Sequence, residues 1–251
     1  MLFAPGYGTF AQLWEAGAMN DGLFSAHRAD LEMSVAFPAA GVVLEADVVI
    51  PRGARAVVLF AHGSGSSRHS SRNRFVASEL QRAGLATVLA DLLTPEEDRT
   101  DAATGRLRFD IGLLSGRVTA LVDRLAGDEP TRGLEIGLFG ASTGAAAALV
   151  AAAMRPDLVR TVVSRGGRPD LAGEHLRGVC QPVLLIVGER DPIVIELNRE
   201  AMDKMVGETR LEIVPGASHL FAESGALEAV AQTARDWFTR HLPAADADSA
   251  T

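Results

Sequence analysis

A serine flanked by glycines lies between a predicted strand and a predicted helix. Residues 140–144, Gly-Ala-Ser-Thr-Gly, follow the apolar segment 134–139 and precede the alanine-rich segment 145–154. A sharp turn from a strand into a helix exposes a serine hydroxyl above the strand ends, close to the free N–H groups of the helix start. The pattern therefore predicts that Ser142 is a nucleophile for acyl transfer.

An acid and a histidine, the partners that such a serine needs, follow it in the chain. The apolar run 182–188 predicts a buried strand, and Asp191 lies in the loop directly after it. The run 210–215 predicts a further strand, and His219 lies in the loop after that one. Loops at the carboxyl ends of parallel strands share one edge of the sheet, so residues distant in sequence can meet there. We expect His219 to accept the proton of Ser142 and Asp191 to orient the imidazole.

Each of these residues also has a plainer interpretation. Ser142 and Asp191 both precede predicted helices, where serine and aspartate commonly serve as N-caps. His219 could simply face solvent from its loop, and Asp170, which follows the preceding strand, is an alternative acid. His62 is interpreted as a structural residue beside the next motif rather than as the general base.

A glycine-rich loop at residues 62–67 follows the first continuous apolar strand of the chain. Acyl transfer places negative charge on the former carbonyl oxygen, and each backbone N–H held against that charge contributes roughly 3–4 kcal/mol. We expect the two donors to be Thr143, directly after the nucleophile, and Ser64, with Gly65 as the alternative. A phosphate-binding loop is disfavoured because the Gly-Lys-Ser/Thr ending and the G-x-G-x-x-G spacing are both missing.

Arginines cluster after two of the predicted strand ends. They are Arg68, Arg72, Arg74, Arg165 and Arg168. One interpretation is that guanidinium groups bind a carboxylate or phosphate of the substrate, with Gly65, Arg68 and Arg165 as the candidate contacts. The other is ion pairing within the protein, which the nearby acidic residues favour. Those acidic residues are Glu96, Glu97, Asp98 and Asp101.

The composition predicts one soluble domain. Of 251 residues, 47% are hydrophobic and 22% charged, which is enough apolar material for a large core. The net charge of -8 argues against nucleic acid or an anionic membrane surface as a partner. No pair of histidines or carboxylates has the H-E-x-x-H type of spacing, so neither a metal nor another cofactor is expected. The oligomeric state, monomer or homodimer, is left open.

Cysteine usage and targeting signals together predict a cytoplasmic protein. Cys180 is the single cysteine, which rules out an intrachain disulfide, and its place before an apolar run predicts a buried, inert thiol. The apolar run 144–154 is much shorter than the roughly 20 residues that span a bilayer. The first residues lack the basic region and apolar core of a signal peptide.

Alternating strands and helices predict an α/β fold, a mostly parallel eight-stranded sheet with helices on both faces. We expect an arm or leader at 1–29, the folded domain at 30–242 and a frayed tail at 243–251. Little chain lies between the strands at 159–164 and 182–188, so no lid domain and an open site are expected. The other predicted strands are 29–37, 42–50, 56–61, 85–90, 134–139 and 210–215, with the first two pairing as an antiparallel edge. The predicted helices are 70–83, 109–126, 145–154, 171–176, 195–206 and 224–241, and residues 94–104 are a predicted acidic loop.

Over residues 30–242 the chain resembles the α/β-hydrolase superfamily, and within it the lidless dienelactone-hydrolase-like group. The motifs that carry this resemblance are 62–68, 91–94, 108–111, 140–144, 188–191 and 216–219. They also resemble bacterial hydrolases that are found fused to phosphoribosyltransferase domains. Where dienelactone hydrolases proper have a cysteine nucleophile, this chain has Ser142.

The residues and the resemblance together predict a serine hydrolase that cleaves a small carboxylic ester, with lactones and thioesters as related substrates. An acyltransferase or perhydrolase would use the same three residues with an acceptor other than water. A non-catalytic binding module on the same fold is the alternative from a different class of protein.

Overall fold

The computed structural model describes residues 31–242 of the chain. The predicted leader at 1–29 and tail at 243–251 lie outside the described residues. Eight strands of the described part form one sheet. They are β1 Leu31–Ala39, β2 Val42–Ile50, β3 Ala56–Ala61, β4 Ala86–Ala90, β5 Glu135–Ala141, β6 Val159–Arg165, β7 Val183–Gly188 and β8 Thr209–Val214.

The spatial order of the strands is β1-β2-β4-β3-β5-β6-β7-β8. β2 runs antiparallel to both of its neighbours, and all other neighbouring strands are parallel. The antiparallel edge formed by β1 and β2 is thus confirmed. Every residue of β3 and β7 is buried, because helices cover both faces of a sheet of this kind.

The described part contains six α-helices. They are α1 Ser71–Arg82, α2 Pro95–Thr104, α3 Ile111–Gly127, α4 Thr143–Met154, α5 Pro192–Met202 and α6 Ala226–His241. Buried side chains of α1 and α6 share one apolar cluster, and those of α3 and α4 share another on the opposite face. The predicted fold class is therefore confirmed. None of the described helices combines the length and the apolar character needed to cross a membrane.

The connection from β6 to β7 carries no inserted domain. It contains a 3-10 helix, Pro169–Gly178, with a kink at Gly173, where the sequence predicted a short helix at 171–176. This connection stays close to the sheet, and the described residues contain no lid there, as expected.

The prediction of a loop at 94–104 is wrong, since α2 occupies this segment. The Thr94 hydroxyl accepts a hydrogen bond from the Glu97 N–H, and the Glu97 carboxylate accepts one from the Thr94 N–H. This reciprocal capping box starts the helix, and Pro95 is preorganised for the first helical position. The buried Arg117 guanidinium then binds Glu97 Oε1 at 2.5 Å and the carbonyl of Leu92 at 2.5 Å. The sequence signal for this helix start was the capping-box pattern Thr-x-x-Glu at residues 94–97. It was overlooked because the segment is acidic and has no apolar residues at helical spacing.

Two further expectations need correction. Cys180 is exposed rather than buried, because it lies in the turn before β7 and not in the strand itself. Helix α5 begins at Pro192, three residues before the predicted start, since proline at this position favours the first helical turn.

Replacing Thr94 by alanine should lower the free energy of unfolding by about 1 kcal/mol, because the Glu97 N–H at the start of α2 loses the hydroxyl that accepts its hydrogen bond. Urea denaturation of the wild type and the T94A variant measures this change. The control is Thr100→Ala, an exposed change within the same helix, which should stay within about 0.5 kcal/mol of wild type. Equal losses in both variants would contradict the proposed importance of the cap.

Candidate active site

Ser142 lies at the turn from β5 into α4 with a backbone that few non-glycine residues adopt. Its φ is 50° and its ψ is -120°. Its N–H donates to the carbonyl of Arg165 at 3.3 Å, and its carbonyl accepts from the N–H of Arg168 at 3.1 Å. The hydroxyl makes no capping hydrogen bond to α4, so a role as an ordinary N-cap has no support in the geometry. Strain held by surrounding contacts is typical of functional sites.

Glycines on either side of Ser142 allow this turn to pack. A Cβ on Gly140 would overlap the backbone of Ala145, and a Cβ on Gly144 would overlap the carbonyl oxygen of Ala61. Each overlap is with backbone, which cannot move aside as a side chain can. The two glycines of the motif are therefore required where the chain passes closest to α4 and to β3.

His219 and Asp191 are joined by a hydrogen bond of 2.6 Å between Nδ1 and Oδ2. Asp191 does not cap α5 with its side chain, so the N-cap interpretation of this residue is also unsupported. The His219 side chain is 41% exposed, which leaves its other ring nitrogen accessible. Asp170, the alternative acid, is held instead by both Nε and Nη2 of Arg168 at 2.8 Å.

The loops after β7 and β8 are fastened to each other, and this places the acid beside the histidine. The Glu189 carboxylate accepts from the Gly216 N–H at 2.7 Å, and the Arg190 N–H donates to the Ala217 carbonyl at 2.9 Å. A Cβ on Gly188 would overlap that same carbonyl of Ala217, so the two loops touch at this point. One residue past these contacts in the first loop is Asp191.

Ser142 and His219 adjoin the same short segment after β6. The carbonyl that accepts from Ser142 belongs to Arg165, and the next residue is Gly166. A Cβ on Gly166 would lie 3.6 Å from Cε1 of His219 and 3.1 Å from its carbonyl oxygen. The described part of the chain has no hydrogen bond between the Ser142 hydroxyl and the His219 ring. Catalytic contacts of this kind are often long before substrate binds.

The glycine-rich loop passes directly beside Ser142. A Cβ on Gly63 would lie 3.0 Å from the Cβ of Ser142. The Ser66 N–H donates to the Gly63 carbonyl at 3.2 Å, and Gly65 supplies the left-handed φ of 67° that this tight turn requires. Within residues 31–242, neither Ser64 nor Thr143 uses its backbone N–H in a hydrogen bond. Both N–H groups are therefore available near the serine.

The profile of the dienelactone hydrolase family matches residues 44–243. The chain belongs to this family. A crystal structure of a dienelactone hydrolase from Anabaena variabilis is 55% identical in sequence and has a TM-score of 0.84. It aligns with 85% of this chain and 99% of its own. The match confirms a dienelactone-hydrolase-like α/β-hydrolase fold without a lid.

Two other relatives differ in length or in sequence. A protein of Mycobacterium tuberculosis named as a phosphoribosyl transferase is 52% identical over 228 residues, which are 91% of this chain and 50% of that protein. The chain thus spans about half the length of the curated relatives it matches. A carboxyl esterase of the fungus Tuber melanosporum is 15% identical with a TM-score of 0.67, covering 88% of this chain and 90% of its own. At that identity the likeness concerns the fold alone.

His62 holds the glycine-rich loop in place, in line with its structural interpretation. Its Nε2 accepts from the Leu92 N–H at 3.0 Å, so the proton is on Nδ1, which donates to the Gly63 carbonyl at 2.9 Å. Both ring nitrogens are used, and the ring is neutral. Burial lowers the pKa of His62 below its ordinary value, since the charged form would lose its hydration.

Arg108 supports the same loop, a role that the sequence did not assign. Its guanidinium pairs with Asp101 at 2.5 Å through Nε, and its Nη1 would lie 3.2 Å from a Cβ on Gly65. Asp101 is buried at the end of α2 and also accepts from the Leu107 N–H at 2.6 Å. The capped helix α2 therefore braces the loop from behind. Arg108 belongs to a motif of the resemblance, but nothing in its spacing indicated this contact.

The predicted ion-pair partners of the arginines are wrong: within the described residues, no arginine of the cluster pairs with one of the acidic residues at 96–101. Arg68, a candidate substrate contact, pairs instead with Asp91 and with Glu45 at 2.5 Å. Arg74 pairs with Asp47 at 2.7 Å. Arg68, Arg74 and Asp47 line a groove of about 620 Å³ between the β1–β2 edge and α1. Glu45 and Asp47 on β2 are far from these arginines in the sequence, and only the strand order of the sheet brings the two groups together. Sequence reasoning therefore could not identify these ion pairs.

Arg165 is the candidate substrate contact that remains beside Ser142. Its side chain is buried, and its Nη2 donates to Asn73 Oδ1 at 3.3 Å. Burial, and then the nearby positive charge of Arg72, lowers its pKa to about 10, so it stays charged at neutral pH. Asn73, in the first turn of α1, was not singled out from the sequence.

Acidification should weaken the fold through His62. Unfolded chains bind a proton on His62 near its ordinary pKa of 6.5, whereas the folded protein does so only at lower pH. The free energy of unfolding should therefore fall as the pH drops below about 6.5, by up to ~1.4 kcal/mol per pH unit. Urea denaturation of wild type and His62→Gln between pH 7.5 and 5.5 should show the difference between them shrinking.

The matched control for this measurement is His175→Gln, which removes an exposed histidine. This variant measures the effect of replacing a histidine whose side chain is exposed rather than buried. A constant difference between wild type and the H62Q variant across the range would contradict the assignment of His62 as a buried neutral ring.

Proposed function

We propose that this chain is a serine hydrolase of carboxylic esters, with Ser142 as nucleophile, His219 as general base and Asp191 as the orienting acid. The observation that carries the proposal is the 2.6 Å bond between His219 Nδ1 and Asp191 Oδ2, across Gly166 from Ser142. The positive φ of Ser142 and the two unused N–H groups beside it support the same chemistry.

In the first half of the reaction, the Ser142 oxygen attacks the ester carbonyl carbon while its proton passes to Nε2 of His219. The carbonyl double bond opens, and the resulting oxyanion is stabilised by the N–H groups of Thr143 and Ser64. Asp191 stabilises the imidazolium through Nδ1. When the carbonyl reforms, the bond to the alcohol breaks, and His219 returns the proton to the departing alkoxide.

In the second half, water attacks the acyl-enzyme at the same carbonyl carbon. His219 removes a proton from that water, the oxyanion forms again in the same place, and the bond to Ser142 breaks as the serine regains its proton. The net products are an acid and an alcohol. Lactones and thioesters follow the same steps, because only the leaving group differs.

The proposed hydrolase and its alternative activities differ only in the molecule that accepts the acyl group from Ser142. An alcohol or a peroxide that replaces water in the second half would make the chain an acyltransferase or a perhydrolase. The longer Mycobacterium tuberculosis relative is named as a phosphoribosyl transferase, and this chain matches half of that protein. That name therefore does not identify the acyl acceptor of this chain. Adding methanol or peroxide to the assay and measuring the ester or peracid formed tests the choice of acceptor.

Replacing Ser142 by alanine should reduce ester hydrolysis at least about 10³-fold, because no oxygen remains to form the acyl-enzyme. The assay is hydrolysis of p-nitrophenyl esters from acetate to dodecanoate, with circular dichroism to verify folding. A fluorophosphonate should label the wild type and fail to label the S142A variant. Equal activity of wild type and variant, or absence of labelling in folded wild type, would refute the proposal.

Replacing Asp191 by asparagine should lower kcat on the order of 10⁴-fold, because an amide cannot stabilise the imidazolium or fix its tautomer. The matched control is Asp170→Asn, which changes the alternative acid and should leave kcat within about threefold of wild type. Steady-state kinetics on p-nitrophenyl butyrate measures both. A large loss in the D170N variant with little loss in the D191N variant would exchange the two assignments.

A further inference from the structure

The two oxyanion donors, Ser64 and Thr143, line one small cavity of about 10 Å³. A cavity needs roughly 10–15 Å³ to hold one water molecule, so this one has room for about a single oxygen atom. Thr143 is fixed by its place at the start of α4. Ser64 lies in a loop, and within residues 31–242 neither its N–H nor its carbonyl makes a backbone hydrogen bond. The position of the Ser64 N–H therefore depends on its neighbours.

A continuous chain of hydrogen bonds runs from Arg117 on α3 to Gly63, the residue before Ser64. Nη1 of Arg117 donates to the Leu92 carbonyl at 2.5 Å, and the Leu92 N–H donates to Nε2 of His62 at 3.0 Å. Nδ1 of His62 then donates to the Gly63 carbonyl at 2.9 Å. The position of Gly63 is thus tied to that of the guanidinium group.

Arg117 is itself held by the start of helix α2. Its Nη2 donates to Oε1 of Glu97 at 2.5 Å, and this bond lowers the pKa of the Glu97 carboxyl below its usual range. The other carboxylate oxygen of Glu97 accepts from the Thr94 N–H in the capping box. With 2% of its surface exposed, Arg117 is the bulkiest fully buried side chain of the described residues. The guanidinium group is therefore fixed from two sides.

The far end of α2 contacts the residue after Ser64. Asp101, buried near that end, pairs with Nε of Arg108 at 2.5 Å. Nη1 of Arg108 would lie 3.2 Å from a Cβ on Gly65. Ser64 is thus flanked by two glycines that are each contacted through α2.

Stability alone gives little reason for a buried arginine at this place. An apolar side chain in place of a buried ion pair is often neutral or stabilising, because desolvation offsets the attraction between the charges. A guanidinium group, however, presents a rigid planar fork that can fix two acceptors at once. Fixed geometry matters at an oxyanion site, because a misplacement of about 1 Å can cost on the order of 10²-fold in rate.

We infer that Arg117 is a positioning residue for the oxyanion donor at Ser64, which it holds in place through Leu92 and His62. The inference rests on the proposed function and adds to it a residue that acts only through other residues. The Ser64 N–H binds most strongly when the substrate oxygen carries charge, in the transition state. Loss of Arg117 should therefore lower kcat rather than raise KM.

The first test replaces Arg117 by methionine, which removes both hydrogen bonds of the guanidinium group. For p-nitrophenyl butyrate, kcat should fall about 10- to 100-fold with KM within about threefold of wild type, since losing a whole donor costs about 10²–10³. The matched control is Arg124→Met on the same helix, whose ion pair with Asp128 does not lead to the glycine-rich loop. Its kcat should stay near the wild-type value. Unchanged kcat in folded R117M, or equal losses in both variants, would overturn the inference.

The second test separates positioning from a general loosening of the fold. Butylboronic acid forms a tetrahedral adduct with the serine oxygen and places a boron-bound oxygen at the oxyanion site, whereas butyramide binds as a neutral carbonyl. In the R117M variant, the inhibition constant of the boronic acid should rise by the factor by which kcat falls, and that of butyramide should change less than about threefold. If both constants rise together, Arg117 has only a structural role and the inference is wrong.

The third test examines the chain of hydrogen bonds at His62 directly. Because Nε2 accepts from Leu92, the ring carries its proton on Nδ1, and ¹⁵N NMR of histidine-labelled protein distinguishes the two nitrogens. The H62Q variant assigns the signals. They should shift in R117M and stay unchanged in R124M. Lower kcat in R117M with wild-type His62 signals would show that Arg117 acts by another route, which would also overturn the inference.

A conservative variant decides the matter where R117M does not fold. Arg117→Lys keeps the charge but lacks the planar fork, so its kcat should fall about threefold or more at unchanged KM, and less than in R117M where that variant folds. Wild-type kcat in R117K, without a folded R117M to compare, would count against the inference. The S142A variant runs in the same assay: if it hydrolyses the ester as fast as wild type, the proposed function fails, whereas wild-type kcat in R117M beside an inactive S142A defeats the inference alone.

Discussion

The backbone of Ser142 is the constraint on which the rest of the site depends. A φ of 50° and ψ of -120° turn the chain abruptly from β5 into α4, and no side-chain cap maintains this turn. It is maintained by close approach: Gly144 lies against the carbonyl of Ala61 at the end of β3, and β6 supplies the carbonyl that receives the Ser142 N–H. The strands on both sides of β5 therefore determine where the serine oxygen lies, and the strain is sustained by packing rather than by the turn itself.

The order of the strands in the sheet determines which groups lie on each side of Ser142. Because β5 lies between β3 and β6, the serine has the glycine-rich loop on one side and Arg165, at the end of β6, on the other. The acid and the histidine come from β7 and β8, two and three strands away, and reach the serine across Gly166, where a larger residue would meet the His219 backbone.

Features that depend on local sequence were predictable, and features that depend on long-range packing were not. Continuous apolar runs such as β3 and β7 indicated their own burial, and the glycines around Ser142 indicated the turn. Helix α2 was missed because its stability comes from a two-residue cap and from Arg117, not from apolar periodicity. Glu45, one partner of Arg68, lies on β2, and the two meet only after β2 has paired with β4. The lack of a carboxylate partner for Arg165 among the described residues has no counterpart in the sequence.

Helix α4 leaves little freedom for change behind the nucleophile. Its first ten residues are all buried, most of them are alanines, and they pack against both β3 and β5. At such density each added methyl group displaces neighbouring backbone, at a cost of about 1–3 kcal/mol. Mutations that diversify this protein over evolution must therefore enter elsewhere, in the loops that border the open edge of the sheet. Lineages with different substrates would be expected to share this helix almost unaltered while their loops diverge.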